Sequence, residues 1–336
     1  MLAGESSEVR VAIPRGINPD FLAARASDAG SLFVLEGETM GTTWKLHFRC
    51  PPQFSREKVR GIVEEELALV IRQMSHYAED SELTRFNQAP AGRWQKLSPE
   101  FFTVLHRALA IARITGGRYD PTLGQISRRN GFGPEMHEAP VRKNPPGWAA
   151  LQLADDRLEA RHEGQCFLDL SSIAKGYALD LIGESLERRG VLNYLFEIGG
   201  EFRGSGIKPD GQPWWVDLDP FRGSHAGHPV IRVALCGVSL ATSGTAVQSI
   251  VEGGQLRHHL IDPRTGSSVE SDLRAVSVLA SSCLEADAWA TALFLMGPED
   301  GLALAANRGI AAYFVIADGA GVREVSTPAF SELFED

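Results

Sequence analysis

The chain has 336 residues, of which 43% are apolar, and a formal net charge of -10 at pH 7. This length is enough for one large domain or two ordinary domains with buried cores. The acidic charge, without any run rich in lysine or arginine, argues against nucleic acid as a partner.

The first hundred residues predict an arm, a hairpin and a helix. Residues 1–30 show weak periodicity with scattered Gly, Pro and Asp, which favours an N-terminal arm over a domain. The segment LFVLEGETMGTTWKLHF (residues 32–48) predicts two strands around a turn. Apolar residues then recur at helical spacing from Ser55 to about Tyr77, and Ser55 is the predicted N-cap.

The rest of the chain mixes strands and helices. Ser98, as a capping hydroxyl before Pro99, predicts a helix that ends at Gly116. Residues 128–148, rich in Gly, Pro, Asn and charge, predict a surface excursion. Short strands are predicted within 150–170, followed by a helix over 172–189 and a strand over 193–198. Further strands are predicted near 214–219, 230–242 and 257–262. A capping box at Ser282 and Glu285 then predicts a helix that ends at Gly297, and a last helix and a strand over 311–317 follow. This mixture of hairpins and crossovers favours an α+β architecture over a regular doubly wound sheet.

The ends of the chain and its cysteines argue against several further classes. Residues 1–30 contain no continuous apolar segment and no cysteine for lipid attachment, so they do not resemble a signal peptide. No window reaches the roughly 18 apolar residues that a membrane span needs. As written, the sequence predicts a cytoplasmic protein without a transmembrane segment; a truncated start would instead leave room for export to the periplasm. The four cysteines are far apart, which favours buried thiols over a zinc site or a disulfide framework.

The segment DLSSIAKGYALD (residues 169–180) combines an acid, two hydroxyls and an amine. Asp169 is expected at the end of a strand, and Ser171 and Ser172 at a helix N-terminus, where free N–H groups and the helix dipole favour an anion. Lys175 adds a full positive charge. The segment therefore predicts either a phosphate-binding cradle or a simple helix cap with a solvated lysine. It is not a P-loop, because the GxxxxGK[ST] pattern is absent.

The segment SSCLEADAWATALFLMG (residues 281–297) places polar residues on a largely apolar helix. Asp287 and Thr291 are four residues apart, so their oxygens project from one face on successive turns. A carboxylate in such a setting needs a partner. The partner is either a hard cation such as Mg²⁺, which accepts carboxylate and hydroxyl oxygens, or an arginine or a neighbouring helix end.

Three loop segments contribute either to a site or only to turns. HHLIDPRTG (residues 258–266) places two histidines before an Asp-Pro-Arg-Thr-Gly turn, and ATSGT (residues 241–245) is a small loop rich in hydroxyls. Tyr77 comes just after a helix, where its ring either lies on a planar ligand or covers the core.

Together and in this order, eight segments resemble the flavin transferase family, also known as the ApbE family. The matching segments are ETMGTTW, MSHYAEDSELTRFN, GGRYDPTLG, DLSSIAKGYALD, FEIGGEFRGSG, ATSGT, HHLIDPRTG and EADAWATALFLMG, which span about residues 38–297. The resemblance implies a mixed α/β flavin-transferase-like fold, with helices packed on largely antiparallel sheets. Residues 31–336 are then expected to form the FAD-binding domain, either as one unit or as two subdomains with FAD in the cleft.

The resemblance also implies an activity and its partners. A member of this family binds FAD with Mg²⁺ and transfers the FMN half, through a phosphoester, to a Thr or Ser hydroxyl of a target protein, releasing AMP. The expected partners are therefore FAD and an acceptor flavoprotein subunit or domain that carries the flavinylation site. Two alternatives stay open: a Mg²⁺-dependent FAD pyrophosphatase that yields FMN and AMP, and a non-catalytic FAD-binding accessory protein.

Site residues follow from the resemblance, motif by motif. The expected FAD contacts are Met40, Tyr77, Arg118, Tyr119, Asp120, Asp169, Lys175 and Ile261. The expected Mg²⁺ ligands are Ser172, Asp287 and Thr291. Asp287 is thus expected to act in catalysis, because a metal on the pyrophosphate neutralises charge during attack at phosphorus. His259 is the hypothesised general base for the acceptor hydroxyl, since histidine has an ordinary pKa suited to that role.

Overall fold

The computed structural model describes residues 9–14, 31–134, 147–164, 166–218, 230–245, 249–252, 255–319 and 321–334. Most of the predicted N-terminal arm and residues 135–146 of the predicted surface excursion lie outside this description. No helix in the described ranges is long and apolar enough to cross a membrane.

The structure has the mixed α and β content expected from the sequence. The helices are α1 (Arg56–Met74), α2 (Glu82–Gln88), α3 (Pro99–Ile114), α4 (Gly124–Arg129), α5 (Ala174–Arg188), α6 (Cys283–Met296), α7 (Pro298–Asn307) and α8 (Pro328–Ser331). The strands are β1 (Val9–Ala12), β2 (Leu32–Thr39), β3 (Thr42–Arg49), β4 (Gln95–Lys96), β5 (Leu151–Ala154), β6 (Glu159–His162), β7 (Tyr194–Ile198), β8 (Glu201–Ser205), β9 (Trp214–Leu218), β10 (Val230–Leu235), β11 (Val238–Gly244), β12 (Ser249–Glu252), β13 (Gln255–His258), β14 (Ile261–Asp262), β15 (Ser267–Ser268), β16 (Leu273–Ala280), β17 (Ala311–Asp318) and β18 (Gly321–Ser326).

An eight-stranded sheet runs through the centre of the molecule in the order β18-β17-β16-β11-β8-β7-β3-β2. Every neighbouring pair of its strands is antiparallel. Smaller sheets join β1 with β10 and β9, and β4 with β6 and β5, while β12-β13 and β14-β15 form two-stranded pairs. The predicted α+β fold with largely antiparallel sheets is therefore confirmed.

Successive side chains on the central strands pack alternately into two cores. On β17, Phe314 belongs to the main core on the helical side, whereas Tyr313 and Val315 belong to a second core on the opposite face. This follows from the period of two along a strand, which sends successive side chains to opposite faces. The second core is closed by the small sheet of β1, β10 and β9 together with α8, so the molecule has three layers.

Helix α6 lies in the middle of the helical layer and packs on β11, β16, α5 and α7. All of its residues from Cys283 to Leu295, except Glu285, are buried, because it is covered by the sheet on one side and by helices on the other. Gly176 allows α5 to approach very closely, since a Cβ there would lie 2.3 Å from the backbone oxygen of Cys283. Helices α5 and α6, which carry the polar motifs, are therefore in close contact.

The sequence-based element boundaries are largely confirmed, with four differences. Ser55 and Ser282 accept backbone N–H bonds at the starts of α1 and α6, as predicted. Ser98 occupies the N-cap of α3, but its side chain makes no capping bond, so that part of the prediction is wrong. The predicted strand over 230–242 is two strands, because Gly237 forms a turn with φ 93 between β10 and β11. The strand predicted near 257–262 is parts of two strands, β13 and β14, which belong to different sheets. The helix predicted from 172 begins only at Ala174.

Candidate active site

One cleft collects residues from segments that are far apart in the sequence. It lies where α5 and α6 meet the ends of β8 and β11 and the loops that follow α1, α3 and β13. The predicted site residues that line this cleft are Tyr77, Tyr119, Asp120, Asp169, Ser172, Lys175, His259, Ile261, Asp287 and Thr291. The structure therefore brings ten of the predicted positions to one place.

Met40 and Arg118 are not among the residues that line the cleft. Met40 is the first of two turn residues between β2 and β3, with φ 48, a left-handed conformation that a non-glycine side chain rarely adopts. Arg118 follows α3, and its guanidinium lies 3.6 Å from the carboxylate of Asp300 at the start of α7.

Tyr77 stands at the mouth of the cleft and does not cover the core. It is 64% exposed, and its ring centroid lies 4.4 Å from that of His76. Ser75 fixes this loop, because its hydroxyl accepts the backbone N–H groups of Tyr77 and Ala78. An aromatic face held in this way offers a stacking surface to a planar ligand.

Asp169 lies deeper in the cleft and is held by two neighbours. Its carboxylate accepts hydrogen bonds from the backbone and hydroxyl of Ser171 at 2.9 and 2.6 Å, and lies 3.1 Å from Nδ1 of His76. Burial opposes ionisation, but the bonds from His76 and Ser171 and the attraction to His76 outweigh it and hold the pKa of Asp169 well below its usual range. The residue is therefore a fixed negative charge in the cleft wall.

Asp120 uses both carboxylate oxygens to shape the loop after α3. One oxygen accepts hydrogen bonds from the backbone N–H and the hydroxyl of Thr122, at 2.8 and 2.6 Å. The other oxygen accepts a hydrogen bond from the backbone N–H of Trp148 at 3.1 Å. Burial raises the pKa of Asp120, and this effect outweighs the lowering by the hydrogen bonds from Thr122 and Trp148. The carboxylate thus organises the cleft wall around Tyr119.

The two serines of DLSSIAKGYALD do not cap α5, so the simple-cap alternative is wrong. The N-cap position is Ile173, without a side-chain bond, while Ser171 binds Asp169 and Ser172 donates to the hydroxyl of Tyr119 at 2.9 Å. Burial raises the pKa of Tyr119, which keeps it a neutral partner. Ser172 is therefore turned into the cleft.

Lys175 is not a solvated surface charge. Its Nζ lies 2.5 Å from Oε1 of Glu201, and its side chain is only 23% exposed. Burial raises the pKa of Glu201 to about 7, with a further rise from Asp287 and an opposing effect from Lys175. The ammonium thus contacts Glu201 on β8 and attracts Asp287 on α6 without contacting it.

Asp287 has one of the two partners expected as alternatives to a cation, because it accepts an N–H group in the first turn of the neighbouring helix α5. Its Oδ2 accepts the backbone N–H of Gly176 at 3.0 Å, and no arginine of the described residues pairs with it. Burial raises the pKa of Asp287, while Lys175 and the bond from Gly176 lower it. One turn later, the hydroxyl of Thr291 lies 2.9 Å from that of Ser243.

The donor set around Asp287 suits a hard divalent cation. Carboxylate and hydroxyl oxygens are available from Asp287, Thr291 and Ser172, and Oε2 of the buried Glu201 has no hydrogen-bond partner in the described part of the chain. Across the described ranges, no group of three or more His, Cys, Asp and Glu side chains could hold a metal. A site here would therefore depend on one or two carboxylates supplemented by hydroxyls and ligand oxygens.

The two adjacent histidines have different surroundings. His258 is buried, with Nε2 3.0 Å from the backbone oxygen of Val269 and its ring facing Phe294. His259 lines the cleft, and its ring centroid lies 6.3 Å from that of Phe132. Only the second histidine is placed to meet a ligand.

The sequence reasoning assigned no role to Glu201, and it considered Thr242 and Ser243 only as part of the ATSGT segment; all three line the cleft. It also did not single out His76, which lies 3.1 Å from the carboxylate of Asp169. Glu201 lies within the quoted segment FEIGGEFRGSG, directly after a double glycine and at the start of an apolar strand. A charged residue at the start of an apolar strand is the signal that could have identified Glu201. Its partner Lys175 is 26 positions away on another element, so local spacing carried no information about the pair.

Comparisons with known proteins show the family to which this chain belongs. Residues 40–314 match the model of the ApbE family. The chain is 33% identical over 319 residues to the FAD:protein FMN transferase of Haemophilus influenzae, covering 90% of this chain and 91% of that protein. It is 32% identical over 306 residues to the enzyme of the same name from Vibrio cholerae, covering 88% and 91%. The crystal structure of the flavinyl transferase ApbE from Pseudomonas stutzeri, in its apo form, superposes with a TM-score of 0.81 at 33% identity, covering 91% of this chain and 97% of that chain. The chain belongs to the ApbE family.

Proposed function

We propose that this protein is a Mg²⁺-dependent enzyme that transfers FMN from FAD to a Thr or Ser hydroxyl of a target protein, with release of AMP. Transfer of FMN from FAD to a protein is its activity, as for the FAD:protein FMN transferases that it resembles over about nine tenths of its length. The dependence on Mg²⁺ and the hydroxyl acceptor are the finer parts of the proposal.

The observation that carries the proposal is the convergence of Tyr77, Lys175, Asp287 and His259 on one cleft. These side chains supply an aromatic face, a positive charge, a buried carboxylate and an imidazole. A dinucleotide needs the first two for its ring system and its pyrophosphate. A phosphoryl transfer needs the last two for charge neutralisation and for removal of a proton.

Asp287, Ser172 and Thr291 would hold the metal. Bound there, Mg²⁺ would neutralise negative charge on the pyrophosphate as the bond to AMP breaks. Asp287 is prepared for this, because the backbone N–H of Gly176 fixes the carboxylate from one side. Lys175 would face the same phosphates from α5.

His259 would remove the proton from the acceptor hydroxyl. The hydroxyl oxygen forms a bond to the phosphorus of the FMN half, and the bridging oxygen leaves with AMP. The proton passes to the imidazole of His259. Binding energy from the flavin and adenine parts would hold the phosphorus in line for this attack.

The test is an incubation of the pure protein with FAD, Mg²⁺ and a candidate acceptor domain, analysed for AMP and for the intact mass of the acceptor. A matched acceptor, with valine in place of the target threonine, is the control. The proposal predicts AMP together with an FMN mass gain only on the threonine-containing acceptor. AMP without a mass gain would identify a FAD pyrophosphatase, and intact FAD would identify a binding protein.

A further inference from the structure

Lys175 is the feature of the cleft from which the inference starts. Its ammonium contacts Oε1 of the buried Glu201 at 2.5 Å. Asp287 attracts the same cation without contacting it. The contact with Glu201 therefore decides on which side of the cleft the positive charge sits.

An ammonium in direct contact with Asp287 would compete with a divalent cation. A buried carboxylate paired with lysine has already replaced its lost hydration, so a metal that binds it must first displace the lysine. The carboxylate stays available only where another acceptor holds that lysine. In this structure, that acceptor is Glu201.

We propose that Glu201 is a positioning residue that holds Nζ of Lys175 away from Asp287 and so keeps the Asp287 carboxylate available to the divalent cation. This inference rests on the metal site proposed above. It gives a role to a buried cleft residue that the motifs had left unassigned.

The position of Glu201 suits this role. It is the first residue of β8, is only 5% exposed, and pairs through the backbone with Ile198 of β7. Gly199 and Gly200 make the turn before it with φ 62 and 103, conformations that favour glycine. The carboxylate is thus presented from a rigid hairpin in the central sheet, whereas Lys175 is a long side chain that has to be held.

A double-mutant cycle separates positioning from simple charge. In Glu201→Gln, Lys175 loses its acceptor and is expected to turn to Asp287. In Lys175→Met the competitor is gone, and the combination of both changes has the same net charge as the wild type. If the two residues acted only through their charges, the effects of the two substitutions on metal affinity would add.

The experiment titrates Mn²⁺ into each FAD-free protein and follows free Mn²⁺ by electron paramagnetic resonance. We expect Glu201→Gln to weaken Mn²⁺ binding about tenfold, and Lys175→Met to restore it about tenfold in that background. In the wild-type background, Lys175→Met should change the affinity by less than about threefold, because the lysine is already held. Circular dichroism checks that each variant is folded.

Glu285→Gln is the matched control. Glu285 lies on α6 like Asp287 and is paired with Arg107, outside the cleft, so its neutralisation should leave Mn²⁺ affinity unchanged. Equal effects of Lys175→Met in both backgrounds would overturn the positioning role. Weak binding in the double variant would instead make Glu201 a ligand. If Asp287→Asn binds Mn²⁺ like the wild type, the proposed metal site itself is wrong, which is a separate result.

Discussion

Tyr77 is an exposed side chain of the cleft, and its role can be tested without disturbing the fold. Tyr77→Ala should weaken FAD binding by roughly 1–2 kcal/mol, the free energy expected for losing an aromatic face and its buried area. The free energy of unfolding should hardly change, because the ring is 64% exposed. A fluorescence titration measures the affinity, with Tyr77→Phe as the control that keeps the ring. Wild-type affinity in Tyr77→Ala would show that the ring does not contact the ligand.

His259 is predicted to accept a proton during transfer. His259→Asn should slow FMN transfer by about 10²- to 10⁴-fold while FAD affinity stays close to that of the wild type. A base must be deprotonated to act, so the wild-type rate should fall at low pH and the variant should lack this acidic limb. Pre-steady-state rates across the pH range measure both. If FAD binding is lost together with catalysis, His259 positions the ligand instead.

Individual residue roles were predictable where the chemistry was local. Ser55 and Ser282 cap their helices as the sequence predicts, because an N-cap interaction spans only three residues. Ser98 fails as a cap although the pattern is the same: its buried hydroxyl has no hydrogen-bond partner in the described part of the chain, and only its backbone N–H is bonded, to the carboxylate of Glu82 at 2.7 Å. The residue Glu201 was missed for a related reason, since its partner comes from another element.

Helices α5 and α6 form the element pair that holds the proposed phosphate and metal groups. Asp180 of α5 accepts the backbone N–H groups of Cys283 and Leu284, at 2.8 and 2.9 Å, and the hydroxyl of Ser282. Arg203 of β8 neutralises this buried carboxylate at 2.6 Å. The first turn of α6 is thereby fixed to α5, which sets the distance between Lys175 and Asp287. The last residue of DLSSIAKGYALD thus supports the site from outside the cleft.

Substitution of Gly176 tests the close packing of α5 against α6. Gly176→Ala should destabilise the protein by about 1–3 kcal/mol, because the new Cβ would collide with the backbone of Cys283 and force the helices apart. Gly61→Ala on the exposed side of α1 is the matched control, since nothing lies within 4 Å of its Cβ position. That change should stabilise the protein by up to about 1 kcal/mol through helix propensity. Urea denaturation measures both, and equal effects of the two substitutions would contradict the close packing.

For the whole molecule, the pattern of elements was predictable but their arrangement was not. Alternating and helical periodicities predicted the hairpin at residues 32–48, the strand at 311–317 and the buried helix at 282–297. The order of the eight strands depends on pairings between distant segments, such as β3 with β7 and β8 with β11. The family resemblance implied largely antiparallel sheets, but these pairings came only from the structure, because no single segment encodes them.

The buried carboxylate of Glu201 should make the stability of the whole molecule depend on pH. The pKa of Glu201 is raised from 4.5 to about 7, so between these values the folded protein binds a proton that the unfolded chain has released. The free energy of unfolding should therefore fall as pH rises through this window. Glu201→Gln removes that contribution, which is on the order of 2 kcal/mol between about pH 5 and about pH 7. Parallel urea titrations of metal-free wild type and variant measure it, and identical pH slopes would contradict the shifted pKa.

The central claim is that one cleft transfers FMN with a divalent cation held by Asp287. The most direct measurement is the intact mass of the acceptor after incubation with FAD across a Mg²⁺ titration, for the wild type and for Asp287→Asn. Asparagine keeps the size of the side chain and an acceptor for the backbone N–H of Gly176, but it removes the only full charge among the proposed ligands. We predict an FMN mass gain that rises with Mg²⁺ in the wild type, disappears when the metal is chelated, and is absent in a folded Asp287→Asn. A variant that modifies the acceptor with the wild-type Mg²⁺ dependence would contradict the claim.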